Sequence, residues 1–256
     1  MNHQKYHAYP PVPRKRRFWP DRQITKAPVW CSVDLRDGNQ ALEIPMDIDQ
    51  KLEFFRFLTQ VGFKEIEIGF PAASDTEYEF TRALIDKKLI PEDVVIQVLT
   101  QSRPHIIEKT FEALQGAKKA VVHLYNSTSA LQREVVFRMD KAQVIDLAVS
   151  GAKLIKECAE KDRFGTEFWF EYSPESFTGT EIDYAAEICN AVMDVWRPDL
   201  GRKVIINLPA TIEMSTPNVY ADQIEAMGEM LRYRNHIQIS LHPHNDRGSA
   251  VAATEL

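Results

Sequence analysis

Ala120-Val121-Val122-His123-Leu124-Tyr125 is a short, mostly apolar, strand-like run, and a longer stretch from about Asp140 to Lys161 with the pattern of a helix follows it. The same beat extends in both directions. Toward the C-terminus, Phe168 to Tyr172 precedes a helical pattern over Glu181 to Val195, and Val204 to Asn207 precedes Pro217 to Arg232. Gln238 to His242 then leads into a segment opening at Asp246. Toward the N-terminus, Val94 to Val98 precedes Pro104 to Leu114, and Glu65 to Gly69 precedes Asp75 to Lys88. Val29 to Asp34 precedes Ile48 to Val61, where Leu52, Phe55 and Leu58 recur at helical spacing. Strand and helix alternate without a hairpin signal, so the strands must be parallel and joined by crossover helices. Crossovers repeated in one direction close into a barrel, and the expected fold is α/β, a TIM (β/α)8-type barrel. A doubly wound sheet is the alternative, weakened because no Gly-rich dinucleotide loop follows the first strand. The pattern supplies seven strands and stops inside the seventh helix, which reads as a barrel truncated after strand seven, the N-terminal piece of a longer protein. Residues 28–256 are expected to form this catalytic barrel domain, with residues 1–27 as an N-terminal extension.

Composition removes several classes of function. The 256 residues are 44% hydrophobic and 27% charged, an ordinary globular balance. No apolar stretch reaches the roughly 18 to 20 residues that cross a bilayer. Cys31, Cys158 and Cys189 are odd in number and widely spaced, so neither a disulfide framework nor a zinc knuckle is encoded, and a cytoplasmic location is expected. A formal charge of −6 argues against nucleic acid as a general partner. Arg14, Lys15, Arg16 and Arg17 make the extension locally basic. Pro10, Pro11, Pro13 and Pro20 forbid a continuous helix there, and a packing arm is the favoured reading over a nucleic-acid arm.

A barrel of this kind places its active site where the strands end. Those ends are polar. His242 and His244 alternate in an extended segment, so both imidazoles face one side and make half of a metal site. Asp37, leaving the first strand, is the nearest acidic third ligand, though it could equally cap a turn. Asp246 competes for that role, but its place at the start of a helix favours N-capping. Arg36 is either a fixed cation for an oxygen that gains negative charge or a surface ion pair. Glu175 could act as an acid or base, or stand solvated in a loop. His123 and Tyr125 point the same way along strand four and could line the site. Thr211 offers a hydroxyl to a substrate carboxylate or to a helix cap.

Two long motifs at these positions carry a resemblance. Leu35-Arg36-Asp37-Gly38-Asn39-Gln40, with Lys51 eleven residues after Gln40, and Ile239 through Ala252, containing His242-Pro243-His244-Asn245-Asp246-Arg247-Gly248, resemble the signatures of the 2-isopropylmalate synthases. These enzymes sit within a larger family of metal-dependent, acyl-CoA-condensing barrels. The stretches Glu171 to Glu181 and Asn207 to Met214 resemble the longer-chain branch. The resemblance implies a Claisen-type condensation of acetyl-CoA with 2-oxoisovalerate to 2-isopropylmalate, the committed step of leucine biosynthesis. It implies a divalent cation (zinc, magnesium or manganese) on Asp37, His242 and His244, with Arg36 adding charge to the developing alkoxide. It further implies that Glu175 and Thr211 hold the keto acid or move protons, and that His123, Tyr125, Ser173 and Pro209 shape its pocket. A homodimer is implied for the complete protein. Homocitrate or citramalate synthase-type condensation, or an inactive fragment, are the alternatives. An amidohydrolase would also carry a His-x-His pair, but at the end of strand one.

Overall fold

The computed structural model describes residues 7–256, so the first residues of the extension, 1–6, lie outside the described part of the chain. Seven parallel strands form one sheet in sequential order: β1 Cys31–Ser32, β2 Glu65–Gly69, β3 Val95–Gln101, β4 Lys119–Ser127, β5 Glu167–Glu175, β6 Val204–Ala210 and β7 Ile237–Pro243. Between them run α1 Ile48–Val61, α2 Asp75–Asp86, α3 Pro104–Leu114, α4 Lys141–Glu160, α5 Ile182–Trp196 and α6 Pro217–Met230, and α7 Ala250–Glu255 follows β7. The sheet curls as a TIM-type barrel does. No helix among the described residues is long and apolar enough to cross a membrane.

Local chemistry sets the helix ends. Asp47 and Gln50 form a reciprocal capping box at the start of α1, and Asp140 and Gln143 do the same for α4. Gly62 ends α1 with φ +111°, a left-handed conformation that a side chain would disfavour. The outer faces of the strands and the inner faces of the helices share the main apolar core, with Phe170 of β5 stacked on Trp196 of α5 at 4.6 Å. Inside the barrel a second, small cluster of Val95, Val121 and Ile205, backed by Trp169, forms the floor.

Above that floor the interior is polar. Because alternate residues of a strand share a face, the positions two further along β3, β4, β5 and β6 are Gln97, His123, Glu171 and Asn207, all buried, with Glu67 of β2 beside them. Strand pairing places Glu67 opposite Gln97, and His123 opposite Glu171.

Two expectations need correction. The first strand is only Cys31–Ser32 rather than Val29 to Asp34, because Val29 and Trp30 are exposed and the chain turns after Val33. The Val33 carbonyl there accepts the N–H groups of Arg36, Asp37 and Gly38 at 3.2, 2.8 and 3.2 Å, closing a π-helical turn that lifts Arg36 and Asp37 off the strand. Asp246 does not cap the last helix, whose N-cap is Ser249; its carboxylate accepts the Glu213 N–H at 2.8 Å instead.

The described part of the extension lies against α6. Arg14 pairs with Glu225 and Glu229, Arg17 pairs with Asp222, and the Trp19 indole donates to Asp222 at 2.9 Å. Asp222 is itself buried and accepts from both partners. Asp222→Ala should therefore release this arm at a cost of about 1–2 kcal/mol, read as faster proteolysis ahead of residue 28. An unchanged digestion rate would show that the pairs of Arg14 with Glu225 and Glu229 suffice.

Candidate functional site

The π-helical turn after β1 and the end of β7 meet at the mouth of the barrel. Asp37 Oδ2 lies 3.3 Å from His242 Nε2 and 3.3 Å from His244 Nε2. The three side chains can bring one ligand atom each within 4.8 Å of one another, and all three are partly accessible. Hydrogen bonds from His242 and His244 outweigh burial and hold the Asp37 carboxyl well below the usual carboxylate range. Asp37 in turn raises His244. Two imidazole nitrogens and a carboxylate oxygen, converging and reachable from outside, are a donor set that fits a divalent cation with positions left open.

Arg36 sits beside this cluster. Its Nη1 donates to Asp37 Oδ1 at 2.8 Å and its Nε to the buried carboxylate of Glu67. Glu67 Oε2 also accepts from Gln97 at 2.6 Å and contacts His123 Nδ1 at 2.6 Å. The other ring nitrogen of His123 is 2.7 Å from Ser173 Oγ, which accepts from Asn207 Nδ2 at 2.8 Å. A continuous polar chain thus runs from the mouth down through Arg36, Glu67 and His123 to Ser173 and Asn207. Burial raises Glu67, yet Arg36 and His123 overcome it and leave the carboxyl low. Burial, together with the neighbouring carboxylates, raises Glu171 to about 7 against the pull of His123.

Glu175 and Thr211 occupy a neighbouring rim. Glu175 accepts the Ser127 hydroxyl, and Thr211 Oγ1 accepts the Ser176 N–H at 3.0 Å, which leaves the Thr211 hydrogen available to a ligand. Thr211 is therefore a link between two loops rather than a helix cap. Neither residue hydrogen-bonds to the Asp37 cluster in the described structure. Tyr125 is half-buried and its hydroxyl accepts from Gln101 at 2.7 Å. Pro209 is buried in β6, opposite His242 in register. Lys51, the distant residue of the first motif, is fully buried, paired with Glu77 and lying over the Phe80 ring at 4.7 Å.

Glu67, Gln97, Glu171 and Asn207 escape a reading of strand ends because they sit inside strands. Their signal is in the sequence nonetheless: each is a polar residue at an alternate position of an otherwise apolar run, repeated in one strand after another.

Comparison with known proteins places these features. A 2-isopropylmalate synthase of Acetoanaerobium sticklandii is 67% identical over 256 residues, covering 100% of this chain and 45% of the relative. One from Clostridium acetobutylicum is 60% identical over 257 residues, covering 100% of this chain and 46% of the relative. The chain thus spans about 45% of the length of the curated relatives it matches. Among solved structures, the HMG-CoA lyase of Bacillus subtilis shares the fold with a TM-score of 0.63 at 18% identity, over 88% of this chain and 72% of that one. That of Brucella melitensis does so with 0.62 at 16% identity, over 88% and 74%. The HMGL-like family description matches residues 27–256, and it is to the HMGL-like family that this chain belongs.

Proposed function

We propose that this chain is the condensing barrel of a 2-isopropylmalate synthase, joining acetyl-CoA to 2-oxoisovalerate, with residues 28–256 as the catalytic domain and 1–27 as an extension. The observation that carries the reading is the meeting of Asp37, His242 and His244 at the barrel mouth with Arg36 alongside. The names of relatives that match the whole chain support the substrate pair. In the reaction a methyl proton leaves acetyl-CoA, a bond forms from that carbon to the keto carbon, and hydrolysis of the thioester releases CoA.

Asp37, His242 and His244 would hold a divalent cation, zinc, magnesium or manganese. Such a cation supplies Lewis acidity to a carbonyl oxygen. Arg36, fixed from two sides by Glu67 and Asp37, presents a permanent positive charge to an oxygen that becomes an alkoxide. Thr211 offers its free hydroxyl hydrogen to the keto-acid carboxylate. Glu175 would hold the keto acid or take part in proton transfer, and His123, Tyr125, Ser173 and Pro209 would wall the pocket. A cytoplasmic location and a homodimer complete the proposal.

The test is thiol release from acetyl-CoA with added divalent metal and 2-oxoisovalerate, pyruvate or 2-oxoglutarate in parallel, on this chain and on any longer product of its reading frame. Activity with 2-oxoisovalerate supports the assignment. Preference for pyruvate or 2-oxoglutarate would make it a citramalate or homocitrate synthase-type enzyme. Silence from a longer, folded, metal-binding product would remove the enzyme reading.

Metal affinity should depend on pH with a defined sign. Asp37 raises His244, and an imidazole must lose its proton to bind a cation. Affinity is therefore expected to be full at mildly alkaline pH and to fall at least about tenfold for each pH unit below the raised range of His244, more steeply where both imidazoles are protonated. Calorimetric titration with zinc across pH checks this, and a flat profile would show that neither imidazole is a ligand.

A further inference from the structure

Glu171 is unassigned by the function proposed above, yet it lies buried in the barrel interior, 4% exposed. Its Oε1 is 3.5 Å from His123 Nε2, while Glu67 Oε2 is 2.6 Å from Nδ1 of the same ring. His123 therefore has a carboxylate at each nitrogen. A neutral imidazole carries one N–H and presents a lone pair at its other nitrogen. A buried carboxylate facing that lone pair would be repelled in a medium where charges are poorly screened. A neutral ring would take the Ser173 hydroxyl hydrogen at Nε2 and leave the Glu171 charge unanswered, whereas the doubly protonated ring answers both carboxylates. A carboxylic O–H on Glu171 is no substitute, because 3.5 Å is too long for it to donate usefully to Nε2, whereas ionic attraction persists at that distance. Ser173 Oγ, at 2.7 Å, is placed to accept the second ring N–H.

We infer that Glu171 is a positioning residue which, placed across the His123 ring from Glu67, keeps both ring nitrogens protonated and the ring fixed between them. Arg36 and His123 as cations then balance Glu67 and the ionised form of Glu171, which burial raises to about 7. The other titratable groups facing Glu171 are Glu65 on β2 and Cys31 on β1. Cys31 is raised by burial and by these carboxylates, so it stays a neutral thiol. Burial pulls His123 down, and the two carboxylates more than reverse it.

The charge state can be read without turnover. Nitrogen NMR of histidine-labelled protein, with the His123 signal assigned by its loss in His123→Phe, should show both ring nitrogens protonated in the wild type at neutral pH. In Glu171→Gln the titration of His123 should fall by about one pH unit or more. A single protonated nitrogen in the wild type would overturn the inference, and that state is read on the wild-type protein, with His123→Phe serving only to assign the signal. Unchanged titration in Glu171→Gln would overturn it as well.

The catalytic consequence rests on His123 lining the keto-acid pocket. Loss of its charge should then raise KM for 2-oxoisovalerate by about tenfold, with a smaller change in kcat. Should the NMR result hold while no keto acid is condensed by wild type, the proposed function fails and the role of Glu171 stands.

Discussion

Glu67→Ala is expected to destabilise the protein by about 3–5 kcal/mol, the cost of leaving buried cations without their counter-charge. Glu67 is fully buried and joins Arg36, Gln97 and His123 at once. Removing it strips Arg36 of its inner partner and leaves His123 with only the more distant Glu171. Water cannot replace the carboxylate without entering the barrel. Chemical denaturation would measure the loss, and Glu67→Gln, which keeps the shape and one acceptor oxygen, should lose less. A difference of under about 1 kcal/mol between Glu67→Ala and wild type would mean that the interior is already hydrated and that the polar chain is not under the tension of burial. Acid should act on the same group. Glu67 is held below its unfolded value, so the stability it confers is present above the usual carboxylate range, near pH 4, and is lost as pH falls below it.

The second large effect lies at the mouth. Asp37→Ala removes the one carboxylate that both imidazoles approach, at 3.3 Å each. Zinc or manganese affinity should fall by at least about a hundredfold, and condensation in an active longer product should fall with it. Folding should hardly change, by less than about 1 kcal/mol, because Asp37 is partly exposed and Arg36 keeps Glu67. The two effects thus separate: Glu67 supports the fold and Asp37 supports the metal. Undiminished metal binding by Asp37→Ala would transfer the third-ligand role elsewhere.

How much of this was legible from residues alone differs from element to element. The helix Ile48–Val61 and the strand Glu65–Gly69 fall where periodicity puts them, because capping and burial patterns are written within a few neighbouring residues. β4 and β5 run further than their apolar runs, to Ser127 and Glu175, because they pair with each other residue by residue and the ladder carries polar ends along with it. β1 is shorter than its apolar run, because the Val33 carbonyl draws the chain into a turn, a competition no propensity records.

The site divides in the same way. Arg36, Asp37, His242 and His244 stand at strand ends within long motifs, so sequence alone pointed to them and to a barrel that needs them there. Bringing Asp37 and His242 together, 205 residues apart, required the curl of the sheet. Glu67, Gln97, Glu171 and Asn207 were decided only by tertiary structure, which also gave His123 its partners. In one dimension a polar residue between apolar ones describes a strand with a wet face. Curling the sheet turns that face inward, where each charge must find its partner on a neighbouring strand.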